Sequence, residues 1–354
     1  MDKIRQYIES LTPVLFTAKG SSVNIGISKR FFLFKLMNRI VSIIEEDPHL
    51  NFIALLKSYK VLGKFLNGTL HEFHRDRNKL YFKNFFYDRS LYEIVKADLE
   101  YFYPKYKDIQ MTITKRGIIV YDNYKKNSFN ILLLTSHAGT WVPEGIQKKL
   151  SLTKDKRYTE EDVETHKIYG KLVLDKGGIW VDNKQSRFAI DVNRSLRRAI
   201  YADYSEKWID VVWKEELNER ERDSLYASYR EFYFTLIRLL ESFEFNIIFD
   251  GHSMADDKKR PSISFGTKFI PKFYMPIVKS IQQKMIRMGY NPVKLNTPYS
   301  GGNILRWMSQ RFPNKFIFSM EINKKLYMNK KRNRFYQKRI DKLAEDMKKV
   351  FEYS

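Results

Sequence analysis

Three apolar segments of the sequence each end at or beside a side chain that can bind a metal ion or carry a proton. They are residues 132–135 before His137, residues 247–250 before His252, and residues 316–320 before Glu321. Each segment is typical of a buried β-strand. In an open α/β sheet the carboxyl ends of the strands line one crevice, so these side chains are expected to meet there. Two histidines and a glutamate are residue types that a hydrolytic zinc site uses.

Each of these side chains also has a purely structural interpretation. Either histidine could be a buried core residue, and Glu321 could pair with one of the many arginines. In favour of a site, Asp250 is placed to orient the imidazole of His252. An ionised carboxylate inside an apolar strand is also costly unless it has a partner. The sequence therefore favours one shared metal site at the edge of a sheet.

A second group of polar residues lies in residues 186–194, where Arg187, Asn193 and Arg194 flank a short apolar run. Arginine can bind a carboxylate through two parallel hydrogen bonds and asparagine supplies a further donor, so this group could clamp an acidic substrate. The same residues could instead form an ion-pair network with Asp191. Spacing alone does not separate the two interpretations.

Strand and helix patterns alternate from residue 129 onwards. The predicted strands are residues 129–135, 179–181, 188–192, 245–250, 293–296 and 316–322, and a hairpin is predicted over residues 109–121. The predicted helices are one that begins at Pro143-Glu144, residues 158–174 with Thr159 as a possible cap, residues 226–243 and 273–288, and the tail from residue 334. This alternation predicts an α/β fold with a mostly parallel or mixed central sheet and helices on both faces.

The N-terminal part of the chain has a different pattern. Residues 1–105 are predicted to be mainly helical, with periodic apolar positions in residues 31–44, 52–66 and 91–103. We therefore divide the chain into an N-terminal helical region, residues 1–105, and a catalytic α/β domain, residues 106–354, with a basic C-terminal helix.

Composition limits the chemistry and the partners. The 354 residues include no cysteine, so a metal would be held by histidines and carboxylates. The most apolar segment, residues 31–44, is too short and too polar to span a membrane, and no signal peptide is visible, so a cytoplasmic protein is expected. A net charge of +23, with a dense basic stretch at residues 330–339, makes a non-enzymatic nucleic-acid- or anion-binding protein the alternative. That alternative is not favoured, because no zinc-finger, RRM or KH signature is present.

Taken in order, five stretches of the sequence resemble the motifs of the N-formylglutamate amidohydrolase family. They are residues 136–143, 186–194, 250–253, 296–302 and 320–328. The resemblance covers about residues 129–330. It implies a fold similar to that of the zinc carboxypeptidases, of the zinc-exopeptidase or phosphorylase/hydrolase-like type.

The resemblance also implies one zinc ion per chain, with His137 and His252 as ligands. Glu321 would be the general base that takes a proton from the activated water and later protonates the leaving amine. Zinc carboxypeptidases carry a glutamate three residues after the first histidine, but that position here is a threonine. The third ligand is therefore left open between Glu144 and His166.

The remaining motif residues are implied to handle the substrate. Asn193 and Arg194 would bind a free carboxylate, Arg187 would polarise the scissile carbonyl, and Tyr299 would close over the substrate. The expected reaction is hydrolysis of an amide in N-formylglutamate, another N-acyl amino acid or a small peptide. A catalytically inactive relative that keeps the fold as a binding module is the least favoured interpretation.

Overall fold

The fold is seen in a computed structural model, which describes residues 14–19, 22–26, 88–102, 105–106, 109–114, 116–201, 211–256, 259–331 and 334–352. The chain divides into two compact units, Met1–Gly117 and Ile118–Ser354. The predicted boundary near residue 105 stays a prediction. None of the helices within the described ranges combines the length and the apolarity that a membrane crossing requires.

The described part of the first unit contains a short sheet and one helix. Strands β1 (Val14–Lys19) and β2 (Ser22–Gly26) form an antiparallel hairpin, and β3 (Gln110–Ile113) pairs with β1 in antiparallel orientation. Helix α1 (Arg89–Phe102) confirms the helix predicted at residues 91–103. The hairpin is an exception within the region predicted to be mainly helical, because its β-branched and aromatic residues favour strands. The helices predicted at residues 31–44 and 52–66 lie outside the described residues.

A mixed sheet forms the centre of the second unit. Its strands are β4 (Ile118–Asn123), β5 (Ile131–Thr135), β6 (Gly178–Asn183), β7 (Ile247–Met254), β8 (Ile263–Gly266), β9 (Val293–Leu295) and β10 (Ile317–Asn323). Their order is β4-β6-β5-β7-β10-β8-β9. The four inner strands, β6, β5, β7 and β10, are parallel, whereas β4 and β8 run antiparallel to their inner neighbours. The predicted mixed α/β sheet is confirmed.

Seven helices accompany this sheet within the described residues. They are α2 (Glu144–Gln147), α3 (Lys154–Glu160), α4 (Thr165–Lys176), α5 (Glu219–Ser242), α6 (Met275–Arg287), α7 (Asn303–Arg311) and α8 (Gln337–Val350). The longest, α5, begins at Asn218, whose side chain forms a capping box with Glu221. The helix predicted at residues 226–243 is thus confirmed and starts two turns earlier.

The two faces of the sheet pack against different helices. On one face α4 lies against β5 and β7, the ring of Tyr169 meets Phe249 edge-on, and α8 packs on α4. On the other face Leu132 and Leu134 of β5 join a core to which α5 and α7 contribute. Both leucines are fully buried, and burial of such a side chain contributes about 1.5–3 kcal/mol. The helices therefore cover both faces, as predicted.

Two predicted elements differ from the structure. The single helix predicted at residues 158–174 is two helices, α3 and α4, and Thr153 rather than Thr159 is the N-cap of α3. The break occurs at residues 161–164, where the backbone N–H of Asp162 donates to the carbonyl oxygen of His137. The strand predicted at residues 188–192 is a series of turns. Its apolar residues are buried in a loop, so the pattern reflected burial rather than strand pairing.

Candidate active site

The carboxyl ends of the inner strands bring the three predicted side chains to one cavity. Strands β7 and β10 are parallel neighbours whose register pairs His252 with Glu321. Strand β5 lies on the other side of β7 and leads directly into the loop that carries His137. All three side chains line a cavity of about 450 Å³. The cavity therefore forms at the carboxyl ends of the strands, which is the edge of the sheet where the sequence predicted a site.

The side chain of Asp162 faces the two histidines. The candidate ligand atoms of His137, Asp162 and His252 all lie within 4.8 Å of one another, and all three residues are buried. The Oδ2 atom of Asp162 is 2.9 Å from Nδ1 of His252 and 3.8 Å from Nδ1 of His137. Two imidazole nitrogens and one carboxylate oxygen therefore converge on one point, as the ligands of a metal ion do.

Each imidazole is held from its far side by a further carboxylate. Nε2 of His137 lies 2.6 Å from Oδ1 of Asp191, and Nε2 of His252 lies 2.7 Å from Oδ2 of Asp250. The hydroxyl of Ser136 donates to Asp250 at 2.9 Å. A carboxylate on Nε2 holds a proton on that nitrogen, so Nδ1, which faces Asp162, is the nitrogen that can bind a metal ion. The contact between Asp250 and His252, which the sequence suggested, is present.

Neither residue predicted as the third ligand belongs to this group. Glu144 lies in the first turn of α2 and is exposed to solvent. His166 is buried in the first turn of α4. The sequence predicted one continuous helix through residues 158–174, in which Asp162 would lie on a helix face. Asp162 was therefore not predicted as a ligand. Its only signal in the sequence was an acidic run, residues 160–162, within the predicted helix.

The charges around the two histidines differ. Burial lowers the pKa of His137, and the guanidinium of Arg187 lowers it further. Burial acts in the same direction on His252, but the carboxylates of Asp250 and Asp162 outweigh it and raise the pKa of His252 well above its usual value. Burial alone would raise the pKa of Asp162, yet its hydrogen bond to His252 holds that pKa below the usual value. Asp162 is therefore an ionised acceptor inside the protein.

Glu321 has the properties of a proton-transfer group. Its side chain lines the cavity and the residue is only 8% exposed. Burial raises the pKa of Glu321 to about 7, with the charges of Asp162 and Asp250 adding to the effect and that of His252 opposing it. A carboxylate with a pKa near neutrality can both accept and return a proton at neutral pH.

The arginines of residues 186–194 contact Asp191 and line the cavity as well. Nη2 of Arg187 lies 2.9 Å and Nε of Arg194 lies 3.5 Å from Oδ2 of Asp191, which also accepts from the hydroxyl of Tyr201 at 2.8 Å. Burial alone would raise the pKa of Asp191, but the charges of His137 and Arg187 and the hydrogen bonds from His137 and Tyr201 hold it well below its usual value. The ion-pair network considered from the sequence exists, and both guanidinium groups still border the cavity.

Asn193 joins this network to the loop at residues 298–302. Its Oδ1 accepts from the backbone N–H of Ile304 at 3.0 Å, at the start of α7, and its Nδ2 lies 3.5 Å from Nε2 of His252. A Cβ atom on Gly302 would lie 2.3 Å from Oδ1 of Asn193, so a larger residue there would have to displace the Asn193 side chain. Tyr299, in the same loop, is 42% exposed at the cavity.

The sequence profile of the N-formylglutamate amidohydrolase family matches residues 129–328, which is more than half of the chain. The chain belongs to this family. No curated protein is significantly similar to it in sequence. The family membership makes the chain an amidohydrolase relative, as the five motif stretches had indicated.

One solved structure shares the fold of this chain, and two more remote ones are also similar. The N-formylglutamate amidohydrolase from Ralstonia eutropha superposes with a TM-score of 0.56 at 15% identity, covering 66% of this chain and 95% of that one. A gene product of Agrobacterium tumefaciens gives 0.49 at 17% identity, covering 66% and 94%. The succinylglutamate desuccinylase from Chromobacterium violaceum gives 0.41 at 10% identity, covering 69% and 66%. At 15% identity the first superposition shows a shared fold and does not extend to the substrate or the reaction.

All five motif stretches of this N-formylglutamate amidohydrolase family member contribute to the one cavity. The residues they supply include His137, Arg187, Asn193, Arg194, His252, Tyr299 and Glu321. Behind the cavity, the hydroxyl of Tyr169, which lies outside these stretches, donates to the backbone oxygen of Met320 at 3.2 Å. The motifs are therefore parts of one site rather than independent features.

Proposed function

We propose that this family member is a zinc-dependent hydrolase that cleaves the amide bond of an N-acyl amino acid or a small peptide. One observation carries the proposal. His137 and His252 each have Nε2 held by a carboxylate, and both present Nδ1 to the buried carboxylate of Asp162. This arrangement orients three metal-binding atoms before a metal ion binds.

These three metal-binding atoms suit a zinc ion. Two imidazole nitrogens and one carboxylate oxygen are the protein ligands of many catalytic zinc sites, which keep a fourth position open. His137, Asp162 and His252 would hold the ion, one per chain. A zinc ion bound there would lower the pKa of a water molecule and polarise the substrate carbonyl.

Glu321 would handle the proton. Its carboxylate lines the same cavity as the two histidines, and strand register places it next to His252. It would take a proton from the attacking water and transfer it to the leaving amine, which balances the hydrolysis of an amide. The raised pKa of Glu321 suits both transfers.

The arginine and asparagine side chains would bind and orient the substrate. Arg187 would donate to the scissile carbonyl as negative charge develops on its oxygen. Arg194 and Asn193 would hold a free carboxylate, and Tyr299 would cover the bound molecule. A cavity of about 450 Å³ is in the range of small-molecule sites, so N-formylglutamate, another N-acyl amino acid or a short peptide fits.

The test is metal-dependent hydrolysis of a panel of N-formyl and N-acetyl amino acids. Protein stripped with a chelator should be inactive, and addition of one equivalent of zinc should restore amine release. The Glu164→Gln variant, which removes an ion pair to Lys167 outside the cavity, serves as the control and should behave as the wild type. Equal rates with and without zinc, or no amine release from any substrate, would contradict the proposal.

A further inference from the structure

Asp191 connects the two sides of the candidate site, because each of its carboxylate oxygens serves one side. Oδ1 lies 2.6 Å from Nε2 of His137, on the metal side. Oδ2 lies 2.9 Å from Nη2 of Arg187 and 3.5 Å from Nε of Arg194, on the substrate side. Oδ2 also accepts a hydrogen bond from the hydroxyl of Tyr201 at 2.8 Å. The proposed reaction gives Tyr201 no role.

The hydroxyl of Tyr201 is a neutral donor beside two charged ones. Burial and the charge of Asp191 raise the pKa of Tyr201, so its O–H stays protonated. A guanidinium that turns toward a bound substrate weakens its own contact with Oδ2 of Asp191, whereas the hydroxyl keeps its hydrogen bond. Because a buried carboxylate is costly when its hydrogen bonds are lost, this hydroxyl can hold Asp191 against His137 while the arginines bind the substrate.

The ring of Tyr201 supports Arg194. The central carbon of the Arg194 guanidinium lies 4.3 Å from the ring centroid, within the range of a cation–π contact. The ring is itself fixed, since its centroid lies 5.7 Å from that of Phe188 and Tyr201 is only 2% exposed. Arg194 borders the cavity with a side chain that is 18% exposed. A fixed flat surface against the guanidinium therefore orients the cation that would bind the substrate carboxylate.

The local backbone brings Tyr201 back to Asp191. Between them the chain forms the short 3-10 helix Leu196–Arg198. The loop then closes, because the backbone N–H of Asp191 donates to the carbonyl oxygen of Ala199 at 2.7 Å. Tyr201 lies outside the five motif stretches, and its position is set by this loop closure rather than by a motif.

We propose that Tyr201 is a positioning residue with two separable actions: its hydroxyl holds Asp191 against His137, and its ring holds Arg194 toward the substrate carboxylate. The inference rests on the proposed function of the site. Loss of the hydroxyl therefore acts on the metal side, and loss of the ring acts in addition on the substrate side.

Two substitutions separate the actions. Tyr201→Phe removes the hydroxyl and keeps the ring, whereas Tyr201→Met removes both and can still fill much of the buried space. In a competition titration, zinc affinity should fall roughly tenfold in both variants, the size expected when one hydrogen bond to a charged group is lost. At saturating zinc, the substrate is the N-formyl amino acid that the wild type hydrolyses fastest. Tyr201→Met should have a KM roughly fivefold above that of Tyr201→Phe with an equal kcat, as expected when a cation–π contact that supports only substrate binding is lost.

Tyr290 provides a matched control outside the cavity lining. Its hydroxyl donates to Asp346 at 2.6 Å, and Nζ of Lys342 lies 5.5 Å from its ring centroid. Tyr290→Phe and Tyr290→Met therefore remove the same two kinds of contact. They should change only the thermal unfolding curve and keep the wild-type zinc affinity, KM and kcat. Thermal unfolding also shows whether the Tyr201 variants are folded, and Tyr201→Leu replaces the methionine variant if that one is not.

Each action has its own contradicting result. Wild-type zinc affinity in folded Tyr201→Phe would overturn the action of the hydroxyl, and equal KM values in Tyr201→Phe and Tyr201→Met would overturn that of the ring. The same shifts in the Tyr290 variants would overturn both. Failure of the proposed function is distinct, because the wild type itself would then bind no zinc, which would also remove the action of the hydroxyl, or release no amine. Calorimetry of N-formylglutamate with the wild type and both Tyr201 variants tests the ring without turnover, and equal affinities of the two variants would overturn its action.

Discussion

Replacement of Asp162 by asparagine should remove most of the zinc affinity and leave the chain folded. The Oδ2 atom of Asp162 lies 2.9 Å and 3.8 Å from Nδ1 of His252 and of His137, so this side chain completes the converging donors. A structural zinc site with four protein ligands binds with about 10–16 kcal/mol, or roughly 3 kcal/mol for each ligand. Loss of the charged ligand is therefore expected to weaken zinc binding roughly 100-fold.

The assay is a competition titration of zinc against a chromophoric chelator, together with metal content after dialysis and a thermal unfolding curve. The asparagine is nearly isosteric and can still accept from Ser253, which donates to Asp162 at 3.1 Å in the wild type. Glu144→Gln and His166→Gln are the matched controls, since the sequence alone had named these residues as ligand candidates. Wild-type zinc affinity in a folded Asp162→Asn protein, or its loss in either control, would refute the reasoning.

Three further predictions follow from contacts at the site. Glu321→Gln should bind zinc as the wild type does but lose roughly 10²–10⁴-fold in kcat, because the proton acceptor is gone; normal turnover in steady-state assays would remove Glu321 as the base. Asp250→Asn should weaken zinc binding roughly 10- to 100-fold, because the acceptor that holds the Nε2 proton of His252 loses its negative charge; an unchanged affinity in the competition titration would contradict that role. Gly302→Ala should lower the free energy of unfolding by about 1–3 kcal/mol, because its Cβ would overlap the side chain of Asn193; a wild-type urea midpoint would show that the loop adapts.

Much of the sheet could be predicted from local pattern. Strand β5, strand β10 and helix α5 were recognised because an apolar run bounded by polar residues, or an apolar stripe at helical spacing, shows directly which residues are buried. The same reasoning failed for residues 188–192, which are equally apolar and equally buried but form turns. Burial is encoded in the local sequence, whereas pairing with a neighbouring strand depends on distant segments.

The sequence by itself determined the strand-end histidines, the glutamate on β10 and the family, because these features need only residue type, local order and short motifs. Only the tertiary structure decided which side chains converge at the candidate site and which side chains hold them in place. Asp162 meets His252 across 90 residues of chain, and Asp191 meets His137 across 54. Such contacts have no periodic signature, because a carboxylate becomes a metal ligand or a histidine partner through position in space alone.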